Sequence, residues 1–329
     1  HDMKAIRIHQ TGGIDVIQCD NVPVPSLGPD DVLIKPEIAG VNFIDTYFRT
    51  GLYPVELPFA LGQECGGKVA RVGINVKDIQ PGDRVVALVG SSFAERVIAP
   101  RSKVVKLPKE LDTRTAVAAW LQGLTAVALT HTSYPVKSGD YVLVHAAAGG
   151  VGLLLVQIAS SLGAHVIGTT STTKKAERVK TMGAEHVFLY DDDLVSCVNG
   201  ITNGKGVQVI YDSVGKATFE KDFDLVARLG TLVSFGQSSG LPDPIELHRL
   251  SPKNLKLLRP SLFGYVSTQE ELNYYSKILI DLLVSDKVYP GVWREYLLSA
   301  DGVKEAQDEL ASRSTTGKLL IRIPPTADI

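Results

Sequence analysis

No stretch of this 329-residue chain is apolar for the ~18–20 residues that a membrane-spanning helix needs. No secretory leader is legible either; His1-Asp2 ahead of Met3 reads as a cloning scar, with the native start at Met3. Cysteine is scarce. Cys19, Cys65 and Cys197 are scattered and odd in number, which excludes a disulfide framework and fits a reducing compartment, so a cytoplasmic location is expected. No C-x-x-C occurs and the seven histidines show no ligand spacing, so no metal site is expected. An excess of one charge is also missing. With 34 Lys and Arg against 36 Asp and Glu the net charge is −2, which argues against nucleic acid or an anionic membrane as partner. There are no internal repeats and no low-complexity tract.

What the chain has is length enough for two cores, and a change of pattern partway along. Its first third carries short β patterns cut by Pro and Gly: KAIRIHQ (4–10), DVLIKPEIAGV (31–41), GGKVARVG (66–73) and DRVVALVG (83–90). An antiparallel, barrel-like domain is expected there. Residues 112–134 have helical periodicity, with Asp112 or Thr113 as cap. From about residue 140 apolar strands alternate with helices: DYVLVHAA, HVIGTT (165–170), HVFLY (186–190), GVQVIYDSVG (206–215) and GTLVSFGQ (230–237). That alternation predicts a parallel sheet buried on both faces, with right-handed crossovers. LKLLRPSLFGY (255–265) reads as its last strand. A helix over 268–286 then leads to a tail, TTGKLLIRIPP, that is expected to rejoin the first domain.

Between the first strand of that sheet and the next helix lies Ala147-Ala148-Gly149-Gly150-Val151-Gly152. It follows the dinucleotide fingerprint G-x-G-x-x-G with Ala147 in place of the first glycine. Gly149 would let the backbone approach a pyrophosphate, and Gly152 would let the helix pack closely on the strand. The helix N-terminus offers unpaired N–H groups to the phosphates. A bare strand–helix turn is the bland alternative; the surrounding βαβ spacing argues against it. About twenty positions on, where NAD-binding chains carry an acid for the ribose, the residues are Thr169, Thr170, Ser171, Thr172, Thr173, Lys174 and Lys175, with no carboxylate before Glu177. Hydroxyls and ammonium groups suit a 2′-phosphate, so NADPH is the expected cofactor. Otherwise Lys174 and Lys175 form a solvated first turn, where lysine opposes the helix dipole.

With GVNFIDTYFRTGLYP (40–54), LGQECGG (61–67), HAAAGGVG (145–152), YDSVG (211–215), SFGQSSG (234–240) and RPSLFGY (259–265) in hand, the chain resembles the medium-chain dehydrogenase/reductases. Within them it is most similar to the zinc-free NADPH:quinone oxidoreductases of the zeta-crystallin-like group. The resemblance covers nearly the whole chain. It implies an α/β protein: a GroES-like β-barrel catalytic domain over 1–126 and 267–329, and a Rossmann domain with a parallel sheet over 127–266. It also implies an active site in the cleft between the two. Zinc-containing relatives carry a His in a GHE motif, a catalytic cysteine and a lobe of clustered cysteines. Here the tripeptide is Gly62-Gln63-Glu64. Without that Lewis acid, alcohol oxidation gives way to reduction of an electrophilic acceptor, a quinone or an activated alkene.

The same resemblance carries residue expectations. Asn42, Asp45, Thr46 and Tyr47 would lie towards the nicotinamide end, with Tyr53, Gln63 and Thr125 bordering the substrate. Asn42 and Gln63 can hydrogen-bond a carbonyl or the carboxamide. Tyr47 or Tyr53 can stack on a flat ring and donate a proton, or else pack at the rim. Asp45 either takes part or anchors a helix turn. On the cofactor side stand Gly149, Gly150, Val151 and Gly152 for the pyrophosphate. Ser171 and Lys175 would meet the 2′-phosphate, and Tyr190 the adenosine. Ser213 and the run Phe235-Gly236-Gln237-Ser238 follow strand ends, and Leu262-Phe263-Gly264 would approach the nicotinamide. Lys318 matches a cofactor-side lysine or is a surface lysine. Cys65 is read as a small packed residue unless its thiol proves reactive. The expected activity is zinc-independent hydride transfer from NADPH to a quinone. An NADPH-dependent enone or alkenal double-bond reductase is the second expectation, and a non-catalytic RNA-binding or crystallin-like structural protein the third. A homodimer is expected, through edge strands of the nucleotide domain.

Overall fold

The computed structural model describes residues 1–328. The chain divides into two compact units. The first holds His1–Leu121, Thr268–Ile280 and the residues from Pro290 onward; the second holds Gln122–Ser267 and Asp281–Tyr289.

In the first unit β1 (Asp2–Ile8) and β2 (Ile17–Pro23) form an antiparallel hairpin. β3 (Asp31–Gly40) leads through Val41-Asn42 into helix α1 (Phe43–Thr50). β4 (Phe59–Ala60) completes the sheet of β1 and β2. β5 (Cys65–Val72), β6 (Arg84–Ala87), β7 (Val97–Pro100) and β8 (Val104–Lys106) pair antiparallel around β3. α1 starts on a capping box: Asn42 and Asp45 satisfy each other's backbone N–H groups, which fixes the turn where β3 ends. Gly51, at φ +86, closes it in the left-handed conformation. Inward residues Ile6, Ile34, Val69, Val85, Val97 and Leu319 belong to one buried cluster, the period-two face that the strands share. α2 (Thr113–Ala128) follows, with Asp112 accepting the Thr115 N–H as its cap.

The second unit alternates strictly. Its strands are β9 (Tyr141–Val144), β10 (His165–Thr170), β11 (His186–Leu189), β12 (Val207–Asp212), β13 (Val226–Ser234) and β14 (Lys256–Leu258). Between them run α3 (Gly150–Ser161), α4 (Thr173–Thr181), α5 (Leu194–Thr202) and α6 (Phe219–Leu225). The sheet order is β11-β10-β9-β12-β13-β14, all parallel. The chain leaves β9 in one direction and returns to its other side at β12, the doubly wound topology whose ligands bind beyond the C-terminal strand ends. β9, β10 and β12 are nearly continuous apolar runs because helices cover both faces.

Two expectations change. The tract 255–265 is strand only over Lys256–Leu258; beyond Arg259-Pro260 it turns into a short helix, α7 (Leu262–Tyr265), because Pro260 has no N–H for the ladder. The helix expected over 112–134 ends in a wide π turn, Leu129–Ser133, where the buried Tyr211 hydroxyl donates to Leu129 O at 3.1 Å. The chain continues through α8 (Gln269–Val284), β15 (Val292–Leu297), α9 (Ala300–Ser312) and β16 (Lys318–Arg322). The tail does rejoin the first unit: β16 pairs antiparallel with β3, Leu320 opposite Gly40. Among the described residues no helix is long and apolar enough to cross a membrane.

Candidate active site

The expected site residues divide between the two units. In the first unit Asn42, Asp45, Thr46 and Tyr47 sit at the start of α1, and Tyr53 follows it. Tyr47 and Tyr53 meet edge to face, with ring centroids 5.4 Å apart, and Tyr53 is 45% exposed. Both rings are held as a pair at the surface, not in the core. Gln63, half-buried, precedes β5.

Lys318 is neither a surface lysine nor an isolated cation. It opens β16, and its ammonium is buried. It donates to Asn42 Oδ1 at 2.8 Å and forms an ion pair with Glu64, while Asn42 Nδ2 donates to Glu64 Oε1 at 3.0 Å. Glu64 Oε2 accepts the Leu121 N–H at 3.0 Å. Glu64 was not among the residues singled out from sequence. Gly40 could have signalled it: a Cβ there would run into the Glu64 carboxylate, so the strand must carry glycine for the acid to sit behind it. Lysine only donates and a carboxylate only accepts, so the Asn42 amide is held in one orientation. Asp45 is fully buried beside this group. Burial pushes its carboxyl up to about 7, against the opposing pull of the Asn42 N–H and the Lys318 charge.

These residues do not suit zinc. Gln63 and Asn42 are amides, the only thiol of this group, Cys65, is buried and pushed up to about 12 by that burial, and the Lys318 ammonium already occupies the space beside Glu64.

In the second unit the remaining expected residues gather at the C-terminal ends of the strands, apart from Thr125 on α2 and the α7 turn. The loop after β9 carries Ala146 at φ +48, and Gly149 is the N-cap of α3. A Cβ at Gly152 would overlap Ala146 O and lie 3.0 Å from Ala147 Cα, so glycine is required for the helix to pack on its own loop. At Gly149 a Cβ would meet only Ala146 O, at 3.3 Å. The protein itself leaves that position open, and Gly149 and Gly150 are exposed. This fits a backbone that must admit a ligand. Ser171 follows β10, and Lys175 lies in the first turn of α4, whose cap Thr172 accepts the Lys175 N–H. No acid lies in that turn.

Tyr190 does something the sequence did not suggest: its hydroxyl accepts the Ala146 N–H at 3.0 Å and braces the glycine loop. Ser213 immediately follows β12, beside the run after β13. Phe235 N donates to Asp212 O and Ser238 N to Ser213 O, so Ser213 and Phe235 to Ser238 form one joined rim. Leu262, Phe263 and Gly264 make up most of α7, with Phe263 61% exposed. Behind the glycine loop, His145, Thr169, Asp212 and Asp222 form a buried hydrogen-bonded network; of the hydroxyls read from sequence as suiting a 2′-phosphate, that of Thr169 is bonded to His145 instead.

Residues 28–109 match the family model described as Alcohol dehydrogenase GroES-like domain, and residues 150–284 the one described as Zinc-binding dehydrogenase. The chain is 43% identical over 318 residues to a protein of Schizosaccharomyces pombe named Probable quinone oxidoreductase, covering 96% of each. It is 37% identical over 330 residues to a 2-haloacrylate reductase of a Burkholderia species, covering 97% of this chain and 98% of that one. Among solved structures, the Escherichia coli quinone oxidoreductase in complex with NADPH superposes with a TM-score of 0.90 at 39% identity, covering 97% of this chain and 99% of that one.

Proposed function

The chain belongs to the quinone oxidoreductases of the medium-chain dehydrogenase/reductase superfamily, and from that membership we propose that it is an NADPH-dependent oxidoreductase reducing quinones without zinc. NADPH, when bound, supplies the hydride. The protein supplies binding, orientation and protection from water. Gly149 to Gly152 would hold the pyrophosphate at the N-terminus of α3, where the first helical N–H groups have no intrahelical partner. Ser171 and Lys175 take the 2′-phosphate, and Tyr190 holds the loop in shape while bordering the adenosine. Ser213, Phe235, Gly236, Gln237 and Ser238 line the ribose side of the strand ends. Leu262, Phe263 and Gly264 would bound the nicotinamide.

On the substrate side, the Tyr47 and Tyr53 pair offers a flat face for a quinone and a phenolic proton for the oxygen on which charge develops. Lys318 and Glu64 hold Asn42, Gln63 offers a further polar contact in the first unit, and Thr125 offers a hydroxyl in the second. Asp45 anchors α1. A quinone is electrophilic enough that loss of one proton donor costs little; solvent replaces it.

The observation that carries this reading is the open glycine cradle at Gly149, followed by a first turn of α4 that contains Lys175 and no carboxylate. Stopped-flow oxidation of NADPH with a panel of quinones and a panel of enones tests it. Quinone turnover with NADPH preferred over NADH supports it. Turnover of enones alone would favour the second reading, an alkene reductase, to which the similarity with the 2-haloacrylate reductase gives weight. Two finer points belong here too. Among the described residues β14 is paired on one side only, by β13, and its other edge suits a homodimer. The three free cysteines suit a reducing, cytoplasmic setting.

A further inference from the structure

His145, Asp212 and Asp222 form the one group of His, Cys, Asp or Glu side chains among the described residues close enough together to chelate a cation. Their donor and acceptor pattern leaves a cation no place. Asp212 Oδ1 accepts the Val214 and Gly215 N–H groups at 2.8 and 3.0 Å. Its Oδ2 accepts the Thr218 hydroxyl at 2.7 Å. A further hydrogen bond joins the Asp212 and Asp222 carboxyl groups. Asp222 Oδ1 lies 2.7 Å from His145 Nε2, and His145 Nδ1 lies 2.8 Å from Thr169 Oγ1. All five side chains are buried.

Two carboxyl groups in hydrogen-bond contact need one proton between them. Asp212 takes three other donors and is therefore the anion. The proton belongs to Asp222, whose hydroxyl points to Asp212 and whose carbonyl oxygen faces His145. That oxygen can only accept, so His145 carries its proton on Nε2. Nδ1 is then a lone pair and accepts the Thr169 hydroxyl. Every donor in this network then has an acceptor. The alternative, a His145 imidazolium against an ionised Asp222 with Asp212 also ionised, has the same net charge. It leaves two anions in contact with nothing between them and separates charge in a buried place.

We propose that Asp222 is held as a neutral carboxylic acid and that, with His145, it is a positioning pair for the dinucleotide loop. The pair links strand ends that are distant in sequence. His145 immediately follows β9 and precedes the loop; Thr169 lies at the end of β10, two residues before Ser171; Asp212 ends β12, one residue before Ser213. One imidazole and one carboxylic acid thus set the spacing of the strand ends that carry the cofactor contacts proposed above. The electrostatic directions agree. Burial pushes Asp222 well above the usual carboxylate range, with its bond to Asp212 adding to this, and burial pushes His145 down. For Asp212 burial works upward and is outweighed by the bond from Asp222 and the others it accepts, so it stays below that range.

The inference rests on NADPH being the cofactor only for its consequence, not for the protonation pattern. ¹⁵N NMR of the His145 ring, assigned by its loss in His145→Gln, should show the neutral Nε2–H tautomer from about pH 6 to about pH 8. An imidazolium at neutral pH would overturn the proposal. An amide reproduces a neutral acid here, with NH₂ towards Asp212 and C=O towards His145. Asp222→Asn should therefore keep the NADPH dissociation constant within about twofold, whereas Asp222→Leu should raise it about tenfold. For Asp222→Leu, kcat at saturating NADPH should stay within about threefold of the parent. Equal damage from Asn and Leu would also overturn it. If the Leu variant does not fold, the tautomer and the Asn variant decide. A parent protein that binds no NADPH would instead end the functional reading and leave the tautomer result standing.

Discussion

The Lys318 ammonium and the Asn42 amide oxygen, 276 residues apart in the chain, lie 2.8 Å from each other, and both the ammonium and the Asn42 amide nitrogen donate to the Glu64 carboxylate. Removing one member of a buried ion pair strands the other, which costs about 3–5 kcal/mol. Lys318→Met and Glu64→Gln should each lower stability on that scale. The double variant Lys318→Met/Glu64→Gln should be less damaging than the sum of its parts, because no charge is left without a partner. Urea denaturation of the four proteins gives the coupling directly. Strict additivity would show that the two charges do not depend on each other.

Lys175 should discriminate between coenzymes. A charge-assisted contact to a 2′-phosphate is worth about 1.5–3 kcal/mol. Lys175→Ala should therefore raise the NADPH dissociation constant by about tenfold or more, and leave NADH within about twofold. Calorimetric titration with both coenzymes measures this. Equal weakening of both would remove Lys175 from the phosphate site.

Much of this was readable from the chain alone. The parallel sheet announced itself because strands buried on both faces, such as YVLV and the first half of HVIGTT, are largely apolar. Gly149, Gly152 and the missing acid after β10 were readable because a backbone constraint and a charge constraint each leave a residue-type signature. The Lys318–Asn42–Glu64 group was not, since β3, β5 and β16 meet only in three dimensions and each residue alone looks ordinary. The same is true of His145: its partners, Thr169 and Asp222, come from another strand and a helix. Tyr190 shows a subtler limit. The resemblance implies a place for it at the adenosine end, but not that its hydroxyl accepts the Ala146 N–H.

Asp45 predicts a pH effect with a definite sign. Burial raises its carboxyl from 3.8 to about 7 in the folded protein. The folded state therefore binds the proton more tightly than the unfolded chain does. Its favourable contribution is complete below the unfolded value and is lost as pH rises towards the folded one. A shift of this size corresponds to about 4 kcal/mol at most. Asp45→Asn keeps an acceptor for the Asn42 N–H and removes the titration. Relative to the parent, the variant should gain stability from about pH 4 to about pH 7, and then level off. Unfolding curves across that range test it; a constant difference would mean that Asp45 does not change its proton affinity on folding.

Gly149 and Gly152 should separate binding from folding. Both stand in the same motif, but the space around them differs. A Cβ at Gly152 overlaps Ala146 O, so Gly152→Ala forces α3 off its loop, at about 1–3 kcal/mol. Its thermal midpoint should fall, and NADPH binding with it. A Cβ at Gly149 meets only one atom, at 3.3 Å, and the residue has an extended φ of −73 that alanine adopts without strain. Gly149→Ala should cost about 1 kcal/mol or less, the difference between the two residues as helix caps. Its added methyl group projects where the pyrophosphate would lie, so NADPH affinity should fall about tenfold or more while the midpoint hardly moves. Differential scanning fluorimetry with and without NADPH separates the two effects. If Gly149→Ala binds NADPH as the parent does, the pyrophosphate lies elsewhere, and the open space at this position has another cause.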